Sequence, residues 1–296
     1  MTQSRVQVAR RTHPDTGPID EDEAWRFVRS LIGRDAVPVS GRVQLTETRD
    51  GTTTWKARSG ATPDAARLLD LCVPLCVGAL AKDVVVAHLG QSLDGRVAVP
   101  PGWPRLITGT EDLRHTHRLR ALSDAVVVGA TTVAVDDPQL TTRLVPGEHP
   151  VRVVLDPRAR LPRDRGVFID GQVASLVVVG AEYARAYAGV PVDVVPLPLD
   201  GGKIPVAAVL GALRARGLRR IFVEGGGFTV SRFLDAGALD RLHVAVASRI
   251  VGIGPPALQL QAAMSGGAAP ARSCLLGSDV LFDCDLRQSA SGRALA

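Results

Sequence analysis

Aromatic residues are scarce in this 296-residue chain: Trp, Tyr and Phe together make up 4% of it. With hydrophobic residues at 46%, the core must be aliphatic, the Val/Ala/Leu material of α/β proteins. Lysine is scarcer still. Lys56, Lys82 and Lys203 are the only ones, so the net charge of +5 rests on arginine. The arginines are scattered among acids, and no basic run is interleaved with aromatics, which argues against a nucleic-acid-binding surface. The densest group, Arg214, Arg216, Arg219 and Arg220, falls where a helix should end and complements its dipole. No apolar run approaches the roughly 20 residues of a membrane span. The start, MTQSRVQVARRTHPDTG, lacks the apolar core of a signal peptide. The expectation is a soluble cytoplasmic protein.

Several chemistries are also missing. Cys72, Cys76, Cys274 and Cys284 form no paired metal motif, and the first two sit four apart in an apolar helical stretch, as buried free thiols do. No GxGxxG fingerprint of a standard Rossmann domain occurs. There is no His-x-Glu with a downstream Pro-Cys-x-x-Cys, which excludes a zinc deaminase, and no Ser/His/Asp nucleophile signature. His115 and His117 are two apart, share no helix face and make poor partners for one metal, so they are expected to be solvated. No metal is expected.

What is present changes character near residue 80. Residues 1–80 read as a small α+β accessory segment. DEDEAWRFVRSLI is an amphipathic helix, RVQLTETRDGTTTWKAR is two strands joined by Asp50-Gly51, and Thr62-Pro63-Asp64 opens a second helix. From 81 to 288 strands and helices alternate, before a flexible tail over 289–296. Strands are expected at Val84–His88, Ala125–Val128, Val151–Asp156, Ser175–Val179, Val192–Val195, Ile221–Glu224, Leu242–Ala247 and Val280–Asp285. Helices are expected at Glu111–Leu122, Glu182–Tyr187, Val206–Arg216 and Phe228–Ala236. Continuous apolar strands between helices indicate a mostly parallel sheet covered on both faces.

The carboxyl ends of these strands carry the candidate chemistry. After the first comes LGQSLDGR, where Asp94 is either a carboxylate aimed at a ligand or part of an ordinary Asp-Gly turn. After the second comes GATTVAVDDPQLTTR, with Thr131, Thr132, Asp136 and Asp137 able to bind hydroxyl or amino groups and Arg143 a phosphate, or else a plain turn before Pro138. VEGGGFTVSRF puts Gly225, Gly226 and Gly227 between strand and helix, either a phosphate cradle or a tight turn. Several such loops on one edge of a parallel sheet mark a ligand site.

In order and spacing, SLDGR, LRALSDAVVVGATTVAVDDPQLTTR, RVVLDP and FVEGGGFTVSRFLDAGALDRLHV resemble the riboflavin-biosynthesis pyrimidine reductases. The resemblance covers about residues 82–286. It implies a dihydrofolate-reductase-like fold and NADPH-dependent reduction of 5-amino-6-(5-phosphoribosylamino)uracil, a phosphorylated pyrimidine, by a homodimer. It places Thr132, Asp136, Gly226 and Gly227, with Phe228, Thr229, Val230 and Ser231, against the cofactor, and Gly90 and Gly225 join them. Arg120, Leu140, Arg143 and Glu224 match substrate positions, and Asp94 and Glu224, the candidate catalytic residues, would hold the pyrimidine and the sugar hydroxyls. Two departures stand out: Pro104-Arg105-Leu106-Ile107 replaces the family's frequent Ser-x-Trp-Ile, and Pro157 replaces a serine. The first motivates an alternative, a reductase of a pterin or another heterocycle. A nucleotide-binding regulatory protein without turnover is the other. The apolar segments LHVAVASRIVG and VLFDCDL, long for exposed edges, add to the dimer expectation. Arg158 and Arg160 follow the third strand at the sheet's carboxyl edge, either within reach of an adenosine 2′-phosphate or as ordinary surface arginines. An Arg158→Ala, Arg160→Ala double variant should therefore raise the steady-state KM for NADPH and leave that for NADH unchanged.

Overall fold

A computed structural model describes residues 17–34, 41–48, 53–77, 80–98, 106–261 and 271–287. The chain divides into two compact units, Met1–Gly78 and Ala79–Ala296. The expected tail at 289–296, the Asp50-Gly51 turn and the Pro104-Arg105 departure lie outside the described residues.

In the first unit, helix α1 (Glu21–Leu31) starts at Asp20, whose carboxylate accepts from the Glu23 amide at 2.8 Å while Glu23 reaches back to the Asp20 amide. Its apolar side, including Trp25, Phe27 and Val28, is buried. Strands β1 (Val43–Glu47) and β2 (Thr53–Ala57) pair antiparallel with Leu45 opposite Trp55. Helix α2 (Pro63–Cys76) is capped by Thr62 and begins with proline, as the sequence indicates. Cys72 and Cys76 are both buried on it.

The second unit is built on one nine-stranded sheet. In chain order its strands are β3 (Val84–Ser92), β4 (Ala125–Gly129), β5 (Val151–Leu155), β6 (Ser175–Gly180), β7 (Asp193–Leu197), β8 (Arg220–Glu224), β9 (Arg241–Ala247), β10 (Ala271–Leu276) and β11 (Asp279–Asp285). The spatial order is β10-β11-β9-β3-β8-β4-β5-β6-β7. From β9 to β7 all neighbours are parallel; β11 and β10 run antiparallel. The chain travels outward through β4 to β7, then returns to thread β8 between β3 and β4. That reversal opens a crevice at the carboxyl ends of the central strands.

Alternating residues explain the two covered faces. Val85, Ala87, Val127, Ile221 and Val223 point into a core with Val209, Leu213, Val230 and Phe233 from α6 (Val206–Arg214) and α7 (Gly227–Asp235). The opposite face carries Val86, Val126 and Phe222, and His88, Glu224 and His243 occupy the same side by strand alternation. Helix α3 (Thr110–Ala121) covers it. Two further short helices, α4 (Ala130–Asp136) and α5 (Gly166–Ile169), follow β4 and β5, and Ala181–Tyr187 is a 3₁₀ turn.

The structure corrects three expectations. His115 and His117 are not solvated: both are fully buried, because α3 presents its polar residues to a polar part of the sheet. Neither LHVAVASRIVG nor VLFDCDL is an edge, since β9 lies between β11 and β3 and β11 between β10 and β9. Strand β10 takes the edge; its ARSCLL is mostly exposed and too polar to read as a core strand. The edge argument for a dimer thus falls away, leaving the resemblance alone. ATTVAVD, read as a loop, is helix α4.

β11 is tied down by a buried fork. Arg241 donates from Nε to Asp283 Oδ1 at 2.9 Å and from Nη2 to Oδ2 at 2.6 Å. Asp283→Ala leaves that guanidinium with the longer 3.4 Å contact to Asp285. It should cost about 3 kcal/mol, read as a lowered urea midpoint with unchanged slope.

Candidate functional site

A cleft of about 380 Å³ opens at the carboxyl ends of β4, β5 and β8, a size typical of small-molecule sites. Its floor is made by two strand–helix turns, Gly129–Thr132 into α4 and Gly226–Thr229 into α7. Neither helix is capped by a side chain, and in the first turn of α7 the Thr229 amide donates to the Gly226 carbonyl at 2.8 Å. The turns interlock. A Cβ on Gly226 would stand 2.7 Å from Thr132 Oγ1, and one on Gly129 would overlap Thr229 Oγ1. Gly226 also has φ +66°, which L side chains rarely adopt. Of the triple glycine, Gly226 and Gly227 are the tightly packed members, and both line the cleft.

The walls come from β5, through Leu155 and Pro157, and from two zipped loops. Val97 donates to the Pro255 carbonyl at 3.1 Å, Arg96 Nη1 to that of Gly254 at 3.1 Å, and the Ala257 amide to Gly95 at 2.9 Å. Asp94 latches this zipper. Its Oδ1 accepts from Ser92 Oγ at 2.6 Å and Val251 N at 3.0 Å, and its Oδ2 from Gly252 N at 2.7 Å. The Ser92 hydroxyl and those two amides hold the carboxyl well below the usual range. Asp94 is a fixed anion that shapes the cleft wall, and it does not line the cleft.

Of the expected cofactor positions, Thr132, Asp136, Gly226, Gly227, Phe228 and Thr229 do line the cleft. Val230 and Ser231 are buried inside α7, where Ser231 Oγ donates to the Gly227 carbonyl and accepts from Gln259 N, both at 2.7 Å. Gly90 faces Thr108 and Asp112. Gly225, Arg158 and Arg160 are not among the lining residues; the two arginines are exposed, Arg158 lying against Gly202. Sequence reading missed Arg232. It lines the cleft and donates to the Ile204 carbonyl, and burial pulls its pKa down. Its spacing of four from Phe228 was the available signal.

The expected substrate positions form a second cluster. Arg120 grips Glu224 bidentately, Nε to Oε2 at 2.6 Å and Nη2 to Oε1, and donates from Nη1 to the Thr141 carbonyl at 2.7 Å. Arg143 Nη1 donates to Thr141 Oγ1 at 2.7 Å. Leu140 is buried with φ +55°, a bend that returns the loop to α3. His117 Nδ1 accepts from the Arg143 amide at 2.8 Å. Burial, then Arg120 and Arg143, push His117 down to about 4, so it is neutral at pH 7. Burial and the neighbouring Arg120 lower Arg143, with Glu224 opposing them.

With this geometry in view, comparison with known proteins identifies the lineage. The family model described as RibD C-terminal domain matches residues 83–282. The chain belongs to the RibD C-terminal domain family. A riboflavin biosynthesis protein RibD from Aquifex aeolicus is 36% identical over 174 residues, covering 58% of this chain and 48% of that protein. A 2,5-diamino-6-ribosylamino-4(3H)-pyrimidinone 5′-phosphate reductase from Methanothermobacter thermautotrophicus is 33% identical over 174 residues, covering 58% of this chain and 80% of that protein. The chain thus spans about half of the first relative and four-fifths of the second. Among solved structures, a diaminohydroxyphosphoribosylaminopyrimidine deaminase/5-amino-6-(5-phosphoribosylamino)uracil reductase from Thermotoga maritima superposes with TM-score 0.59 at 26% identity, over 75% of this chain and 62% of that one. The expected α/β fold with a mostly parallel sheet agrees with this member of the RibD family.

Asp94→Asn removes the charge from the latch while keeping an acceptor. Faster amide exchange at Val251 and Gly252 is expected, with a severalfold weaker cofactor KM and kcat nearly unchanged. A large loss of kcat alone would instead mark Asp94 as acting on substrate.

Proposed function

We propose that the protein is an NADPH-dependent reductase of 5-amino-6-(5-phosphoribosylamino)uracil or a closely related phosphoribosylaminopyrimidine. One observation carries this reading. Glu224, gripped by Arg120, and Gly226, on the cleft floor, are two residues apart on the same β8–α7 turn. A ligand on the arginine cluster and a ligand in the cleft would share that turn as a wall, as direct transfer between them requires.

The cleft suits a nicotinamide cofactor. It has apolar walls, with Phe228 available for stacking, and a floor whose glycines let backbone approach a ligand closely. Thr132 and Asp136 would orient its polar groups, and the α7 amides with Arg232 would meet its phosphates. When bound, the cofactor supplies a hydride. The chain's residues do the rest: Arg120 and Arg143 hold the 5-phosphate, and Glu224 accepts from sugar or pyrimidine donors. These contacts would position the ring-opened sugar carbon, already at the aldehyde or imine level, to accept the hydride, with a proton from solvent completing the reduction. Exposed Arg158 and Arg160 stand beyond β5 as the basis for preferring NADPH over NADH.

Similarity to the Methanothermobacter reductase supports a diaminopyrimidinone as the related substrate. The test is NADPH oxidation with the phosphoribosylaminouracil and the diaminopyrimidinone side by side. Turnover of at least one is expected, with Arg120→Ala lowering kcat/KM by a hundredfold or more, about 3 kcal/mol. No turnover of either at high enzyme concentration, despite cofactor binding, would reject the assignment. A pterin that outcompeted both would do the same.

A further inference from the structure

A row of ionisable side chains crosses the sheet beneath α3. The strand register pairs Asp283 of β11 with His243 of β9, His243 with His88 of β3, and His88 with Glu224 of β8. Partners in register project to the same side, so four neighbouring strands carry titratable groups abreast. The helix matches them. Asp112 Oδ1 lies 2.8 Å from His88 Nε2, His115 Nε2 lies 2.8 Å from His243 Nδ1, and Arg120 grips Glu224. His88, Asp112, His115, His243 and Asp283 are all buried. In a largely aliphatic sheet, such a row persists only if each charge has a partner.

The two histidine pairs are in different states. His243 Nε2 lies 3.1 Å from Asp283 Oδ1, within ion-pair distance but without hydrogen-bond alignment, and His243 Nδ1 lies 2.8 Å from His115 Nε2. Burial, with the positive neighbours, lowers both of these histidines even though Asp283 pulls His243 the other way, so both rings are neutral beside an ionised Asp283. His88 is different. Burial disfavours its charge, but Asp112, by charge and hydrogen bond, and Glu224 outweigh burial and the opposing Arg120, so its pKa is raised above 6.5. The groups facing His88 are Asp112 and His115 from α3, Glu224 from β8 with Arg120 behind it, and His243 from β9; the His115 ring sits edge-on at 5.7 Å.

We propose that Asp112 is a positioning residue that holds His88 as an imidazolium flanking Glu224, so that capture of an anionic ligand by Arg120, Arg143 and Glu224 depends on the charge of this one histidine. The inference rests on reading that cluster as the substrate site. Glu224 then has a cation on each side: Arg120, which fixes its orientation through the bidentate grip, and His88, which is its register partner on β3. Loss of the His88 proton removes one positive charge beside the ligand phosphate and releases one side of Glu224.

The experiment has two arms on the full chain. Histidine NMR of the wild type should find the His88 ring charged at pH 7. Steady-state KM for the phosphoribosylaminopyrimidine, at saturating NADPH, should rise as pH climbs through that ring's titration above 6.5, with kcat changing little. In Asp112→Asn burial should leave His88 neutral at pH 7, raising KM on the order of tenfold and displacing the pH dependence to below 6.5. Asp112→Glu should recover part of the loss, and unchanged NADPH binding by fluorescence would show that each variant is folded. A neutral His88 at pH 6.5 in the wild type, a KM that does not vary with pH, or an Asp112→Asn profile that superimposes on the wild type would each overturn the inference. If Asp112→Asn fails to fold, the wild-type arms decide alone. A wild type that turns over no phosphoribosylaminopyrimidine overturns the functional reading instead, and the NMR arm still decides the state of His88.

Discussion

The fork between Arg120 and Glu224 joins residues 104 apart in sequence and fixes where helix α3 lies over the sheet. Removing one partner of a buried pair strands the other, at a cost of about 3–5 kcal/mol, whereas an apolar pair would fill the space without that risk. The fork makes sense as machinery. Its carboxylate ends a central strand, its guanidinium leaves a helix, and Thr141 and Arg143 are drawn in around them. The buried polar groups of α3 follow from this. Once the helix is committed to one ionic contact with the sheet, the residues a turn or two earlier also face the sheet and need partners of their own.

Much of this fold can be read from the sequence because parallel strands buried on both faces leave an unbroken apolar signal. Val84–Val86, Val126–Val128 and Val177–Val179 admit no other reading, and their boundaries differ from the observed ones by a few residues at most. Strand β10 and helix α4 escaped because their identity depends on neighbours. ARSCLL is a strand only because β11 offers its edge, and ATTVAVD is a helix despite β-branched residues that favour strands. His115 and His117 escaped for a related reason: burial of a histidine is decided by what lies opposite, and spacing along its own helix is silent about a sheet.

The site was legible in outline and less so in detail. The loops named from SLDGR, GATTVAVDDP and EGGGF do surround one region of the sheet, because strand ends in a parallel sheet share an edge. Single residues within them divided by direction. Thr132 and Gly226 face the cleft, while Ser231 turns into its own helix and Asp94 turns back on backbone amides. A motif gives position along the chain, and the direction of a side chain depends on the turn around it.

The carboxyl edge of the sheet is stepped. Strand β8 ends at Glu224, level with His88, yet β3 runs on to Ser92 and β9 keeps pace with it to Ala247. Four further residues of strand amount to a rise of about 13 Å. The zipped loops at its crest, through Val97, Ala98 and Pro255, form one wall of the cleft, whose floor is the lower tread of β4 and β8. A molecule resting on that tread would be held from beneath by strand ends and from the side by the zipped loops. Depth and floor chemistry are therefore separable: lengthening or trimming β3 and β9 together would change how much of a ligand is enclosed and leave unaltered the groups that touch its base.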